Sequence, residues 1–136
     1  MPKINSVLLI DDNKATNFLH TRILKKSNMV GSIHSVISAR EGLNYLTTEE
    51  NQSYPRPDLI FLDINMPGMN GWEFLEAYRE LPVNQRGGIV VVMLTTSLNP
   101  DDFLRAKSIS EVNDFQHKPL TLDTLEKLVD KHFARQ

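Results

Sequence analysis

The chain has 136 residues and a net charge of −2, which suits one domain and gives no general pull toward nucleic acid or an anionic membrane. It contains no cysteine, so disulfides, thiolate chemistry and cysteine zinc sites are excluded. No apolar run approaches membrane-spanning length, and Met1-Pro2-Lys3-Ile4-Asn5 has no signal-peptide core, so a soluble cytoplasmic protein is expected.

In chain order, Ser6–Ile10 reads as a buried strand ending on two acids, Asp11-Asp12. Asn13 to about Lys26 is predicted helical, with Ala15, Phe18, Leu19 and Ile23 at near-helical spacing and two lysines at the end where the helix dipole favours cations. Ser32–Ile37 follows as a short strand and Arg40–Thr48 as a helix with Leu43 and Leu46 inward. The proline-bearing stretch Thr48–Pro57 is a loop. Asp58–Asp63 is the central strand, an apolar run closed by one carboxylate, and the turn residues after it lead into a helix from Gly71 to about Leu81. On that helix Trp72, Leu75 and Tyr78 share a stripe, so Trp72 reads as packing. Arg86-Gly87-Gly88 turns the chain into Ile89–Leu94, whose β-branched content marks a strand buried on both faces. Asn99 caps the next helix, Pro100 suits its first turn, and Asp101 and Asp102 face its positive end. A weaker strand is expected around Val112–His117. Thr121 then caps a last helix carrying Leu122, Leu125, Leu128, Val129 and Phe133.

Five strand–helix units in succession predict an α/β fold, a doubly wound parallel sheet covered by helices on both sides. Ligands of such sheets sit beyond the carboxyl ends of the strands, at the topological switch point. If the first and third strands are neighbours, Asp11, Asp12 and Asp63 converge there. Three anions so close would raise one another's pKa, and an all-oxygen set with little nitrogen nearby calls for Mg²⁺. Thr95 leaves the fourth strand at the same edge, and Lys118-Pro119 ends the fifth, with a cis bond compatible before Pro119. The histidines His20, His34, His117 and His132 are scattered over different elements and read as ordinary surface positions.

Asp11-Asp12, Asp63 with Met66-Pro67-Gly68-Met69-Asn70-Gly71, Thr95 and Lys118-Pro119, in that order and spacing, resemble a response-regulator receiver domain of the single-domain, chemotaxis-regulator kind. The resemblance runs from Val7 to the last helix. It implies a flavodoxin-like (βα)5 fold with strand order 2-1-3-4-5, and residues 1–136 as one receiver domain with no attached output domain. It further implies Asp63 as phosphoacceptor and Mg²⁺ on Asp12, Asp63 and the backbone carbonyl of Asn65, with Asp11 supporting through water. Lys118 would pair with Asp63 and then with the phosphoryl group, while Thr95 would hydrogen-bond a phosphoryl oxygen. Phe115 would be the switch aromatic, and Asn65 and Ser97 the places that tune dephosphorylation. Thr96 stands where the family often has alanine. The implied partners are a sensor histidine kinase or phosphotransfer protein and a downstream protein, with no nucleic acid or membrane. Output would pass through the face of the fourth helix, fifth strand and fifth helix, where Arg105, Lys107, Gln116, Asp123 and Lys127 are candidates.

Two other readings compete. An aspartate-nucleophile phosphatase or phosphotransferase, similar to haloacid-dehalogenase-like enzymes, wants a second acid where Asn65 stands, and room for a cap domain. A flavodoxin-like carrier wants a hydroxyl- and glycine-rich phosphate loop after the first strand, where Asp11-Asp12-Asn13-Lys14 would repel the phosphate.

Overall fold

The three apolar runs of the sequence become the middle of one sheet. The computed structural model describes residues 4–86 and 90–133. Its elements are β1 (Ile4–Ile10), α1 (Lys14–Ser27), β2 (Val30–Val36), α2 (Ala39–Thr47), β3 (Leu59–Leu62), α3 (Gly71–Arg79), β4 (Val90–Thr95), α4 (Pro100–Lys107), β5 (Asp114–His117) and α5 (Leu122–His132). All pairings are parallel and the order is β2-β1-β3-β4-β5. The expected Gly87-Gly88 turn and Ile89 lie outside the described residues.

Alternate residues of the central strands feed two cores. Leu8, Ile10, Ile60, Leu62, Val91 and Met93 face Leu46, Phe74, Leu75 and Tyr78 on one side. Val7, Leu9, Leu59, Phe61, Val92 and Leu94 face Leu24, Leu125, Leu128 and Val129 on the other. The sheet is therefore wound on both sides, by α1 and α5 on one face and by α2, α3 and α4 on the other. Phe74 is fully buried, and a side chain of that size contributes about 1.5–3 kcal/mol by leaving water.

Helix starts follow their capping residues. Asn13, Ser38, Asn70, Asn99 and Thr121 each accept a backbone N–H of the first turn, and Asn70 forms a reciprocal capping box with Glu73. Each such cap contributes about 1 kcal/mol. Strand β5 begins at Asp114 rather than near Val112, because the Asn113 side-chain oxygen takes the Val91 N–H at 2.8 Å in place of a ladder carbonyl. Phe133 lies just past the end of α5 and still packs on the core.

The face of α1 differs from the apolar spacing. Phe18 and Leu19 are exposed, while Asn17, His20 and Leu24 are the buried residues. Asn17 turns inward because its amide donates to the Asp11 and Val36 carbonyls, at 2.9 and 3.1 Å, tying the helix to the ends of β1 and β2. Trp72 is buried as expected, and the Arg105 guanidinium of α4 lies over its ring, 4.4 Å from the centroid.

Candidate functional site

Strand register carries the acids to one place. Ile10 pairs with Leu62, so the next residues, Asp11 and Asp63, leave adjacent strands side by side. The Asp63 N–H donates to the Ile10 carbonyl at 3.0 Å, extending the pairing one step. One ligand oxygen from each of Asp11, Asp12 and Asp63 lies within 4.8 Å of the others. Asp11 and Asp63 are buried and Asp12 is exposed, so the cluster opens to solvent on the Asp12 side.

The loop after β3 is held tightly under this edge. The Gly71 N–H donates to the Ile64 carbonyl at 2.8 Å, and Gly68 takes a positive φ of 74°. A Cβ on Gly71 would stand 2.6 Å from the Asp63 carbonyl oxygen and 2.9 Å from the Ile64 Cα. Only glycine lets the start of α3 come so close to the carboxylate-bearing strand end.

Lys118 reaches the acids from β5. Thr95 pairs with His117, and the Lys118 N–H donates to the Thr95 carbonyl at 2.8 Å; the Lys118–Pro119 bond is cis. The resemblance to receivers implies that this ammonium pairs with Asp63. It lies 3.3 Å from Asp63 Oδ1 but 2.5 Å from Asp11 Oδ2, so Asp11 is its closer partner. The second Asp11 oxygen accepts the Asn13 N–H at 2.9 Å, leaving both of its oxygens engaged by the protein. Asp63 is less well served. Burial first, then the Asp11 charge, push its pKa up to about 6, against the attraction of Lys118.

Thr95 is fully buried at the end of β4, and its hydroxyl accepts the Ser97 N–H at 3.0 Å. The Ser97 hydroxyl in turn donates to Asp102 of α4 at 2.5 Å. Asn65 and Thr96 are exposed beside the acids. Phe115 is half-buried, edge-on to Phe103 and His117 at 5.6 and 5.8 Å. Phe103, Lys107 and Phe115 line a groove of about 240 Å³ between α4 and β5. Of the candidate output residues, Arg105 is engaged with Trp72, Lys107 lies over Phe103, Gln116 bonds Asp114, and Asp123 pairs with Lys127.

The expectation that the histidines are surface residues fails at His20, which is 3% exposed. Its Nε2 accepts the Leu120 N–H at 3.2 Å, and burial lowers its pKa despite the nearby Asp11 charge. A backbone donor 100 residues away captures this imidazole, and no local sequence pattern announces that. His34 and His117 are exposed, and His132 is half-buried against Asp114 at 3.1 Å.

An oxygen-only carboxylate cluster, open to solvent on one side and with the Asp63 pKa raised, fits a hard divalent cation such as Mg²⁺. No helix among the described residues is long and apolar enough to cross a membrane.

The chain belongs to the response regulator receiver family, whose family model matches residues 7–130. It is 36% identical over 132 residues to response regulator Rcp1 of Synechocystis sp., covering 94% of this chain and 84% of that one. It is 31% identical to a probable methanogenesis regulatory protein, FilR2, of Methanothrix harundinacea, covering 92% of this chain and 79% of the relative. Among solved structures, a two-component response regulator from Cytophaga hutchinsonii superimposes with a TM-score of 0.78 at 35% identity, over 94% of this chain and 96% of that one. The phosphorylated cyanobacterial phytochrome response regulator RcpA does so with 0.72 at 32% identity, over 93% and 89%. The chain is thus a receiver domain of two-component signalling, and receivers act as phosphoacceptors. The flavodoxin-like architecture with strand order 2-1-3-4-5 stands as expected.

Proposed function

We propose that Asp63 accepts a phosphoryl group from a sensor histidine kinase or phosphotransfer protein in the cytoplasm, and that the chain then signals through altered protein contacts. The observation that carries this is the placement of a buried carboxylate at the end of β3, with Asp11 and Asp12 beside it and Lys118 Nζ at 3.3 Å. A phosphorylated state is described for RcpA, and the likeness to that protein supports one here.

Asp12, Asp63 and the Asn65 backbone carbonyl would hold Mg²⁺, with Asp11 acting through water. When bound, the ion would supply neutralising charge for the carboxylates and the equatorial phosphoryl oxygens. Asp63 supplies the nucleophile. One carboxylate oxygen bonds to phosphorus as the donor's P–N bond breaks, and the donor imidazole leaves with the electron pair. Lys118 stabilises charge on the transferred group, and Thr95 turns its hydroxyl from the Ser97 amide to a phosphoryl oxygen.

The product adds nearly two negative charges beside Thr95 and Lys118. Two charge-assisted hydrogen bonds at about 1.5–3 kcal/mol each approach the roughly 5.5 kcal/mol that would invert a two-state equilibrium. Phosphorylation alone then shifts the population part of the way, and a partner completes it. The face responding is that of α4, β5 and α5, where Phe115 borders the groove beside Phe103. Asn65 and Ser97 would set the lifetime of the phosphoryl group.

Incubation with acetyl phosphate and Mg²⁺ should add one phosphoryl mass, labile to hydroxylamine and absent in Asp63→Asn. An equal adduct on that variant places the acceptor elsewhere.

A further inference from the structure

We propose that His20 is a positioning residue for Lys118: from α1 it fixes the Lys118-Pro119-Leu120 segment, and through it the ammonium that serves the phosphoryl site. The inference rests on the phosphoacceptor reading of Asp63 and adds a residue to it that lies on a different element from any of the site groups.

The segment between β5 and α5 has few ways to be held. Pro119 has no N–H, so Lys118 and Leu120 supply the only backbone donors before the Thr121 cap. The first goes to the Thr95 carbonyl at 2.8 Å, anchoring the segment to β4. The second goes to His20 Nε2 at 3.2 Å, anchoring it to α1. Leu120 is 2% exposed, so its amide has no access to bulk water in exchange for the imidazole. Between these two anchors stands Lys118, whose ammonium bridges Asp11 and Asp63. His20, Asp11 and Asp63 also line one small cavity.

An accepting Nε2 fixes the tautomer, since its proton must then sit on Nδ1. An apolar residue of similar volume at position 20 would keep the packing and lose the acceptor. Lys118 would then hang from one anchor, and a small displacement of a group placed for phosphoryl transfer has a large effect on rate. His20 touches no reacting atom in this scheme; it acts only through Lys118.

Three chains of residues 1–136 decide the matter: wild type, His20→Leu and His20→Gln, the last keeping an acceptor on a side chain of comparable reach. In His20→Leu the Leu120 amide should exchange faster and the Lys118 ammonium resonance should lose the signature of its pairing with Asp11. The initial rate of phosphoryl uptake from acetyl phosphate should fall about tenfold, with Mg²⁺ affinity within about twofold of wild type. His20→Gln should recover most of the rate and restore both signals. A folded His20→Leu with wild-type rate and an unchanged Lys118 signal would overturn the proposal. Should His20→Leu fail to fold, the wild-type imidazole nitrogen spectrum decides: a protonated Nε2 overturns the assignment, and an unprotonated one coupled to the Leu120 amide upholds it. If wild type itself takes no phosphoryl group, the reading of Asp63 falls instead, and the Lys118 signal in the two variants still tests the positioning role.

Discussion

Burial, the Asp11 carboxylate and a partial offset from Lys118 together leave Asp63 with a pKa of about 6, against 3.8 for an ordinary aspartate. Between those values the folded chain holds a proton that the unfolded chain has released. The stabilisation from that proton is complete below about 3.8 and is lost as pH rises through about 6. Asp63→Asn should therefore be more stable than wild type at pH 7 without Mg²⁺, by about 1–3 kcal/mol. The two should converge below pH 4, as read from urea midpoints across the range. Equal midpoints at pH 7 would mean that Lys118 fully compensates the buried charge. Added Mg²⁺ should raise the wild-type midpoint and leave Asp63→Asn nearly unmoved, since a ligand stabilises only the state that binds it. At this scale the sequence was readable where a polar residue ends an apolar run, as Asp11, Asp63 and Thr95 do. His20 and Asn17 were not readable, because their partners are backbone groups brought near by the fold.

Among the elements, α3 tolerates little change at its first residue, Gly71. A methyl group at Gly71 would meet backbone atoms of Asp63 and Ile64, which cannot rotate aside as a side chain tip would. Gly71→Ala should lower stability by about 1–3 kcal/mol, the usual range for forced overpacking. It should also weaken Mg²⁺ binding, because relief of the clash displaces the strand end that bears the carboxylate. Denaturation and metal titration on one preparation would check both; a loss of stability with intact affinity would mean that α3 yields and Asp63 stays. Helix α1 shows where apolar spacing misleads. Phe18 and Leu19 fit the period yet face solvent, because hydrogen bonding by Asn17 and His20 sets the rotation of the helix. The caps at Asn99 and Thr121 were legible because Asn and Thr announce themselves locally, whereas the start of β5 depended on the cross-strand bond from Val91 to Asn113.

Across the whole molecule, the route from the proposed phosphoryl site to the proposed output face is short. Thr95 on β4 neighbours β5, and Phe115 lies on β5 beside Phe103 of α4. Thr95→Ala leaves the nucleophile and acids intact, so it should still take phosphate on Asp63 but fail to pass the change on. Chemical shifts around Lys107 and Phe115, with and without beryllofluoride, measure this. An equal response in wild type and Thr95→Ala would show that coupling runs by another route. The parallel, doubly wound sheet was legible from five alternating units, whereas its strand order came only through the resemblance to receivers. The preference of Lys118 for Asp11 was not, since it depends on distances that only packing sets.

The stacking of Arg105 on Trp72 gives this receiver an optical reporter of its own. Trp72 is the sole tryptophan, it follows the glycine that abuts Asp63, and the cation above its ring belongs to α4. Any displacement of α4 relative to α3 changes the field at the indole, so intrinsic emission should shift when beryllofluoride binds. Arg105→Gln should alter the resting emission and reduce that shift. The kinetics of switching could then be followed by stopped flow in unlabelled protein.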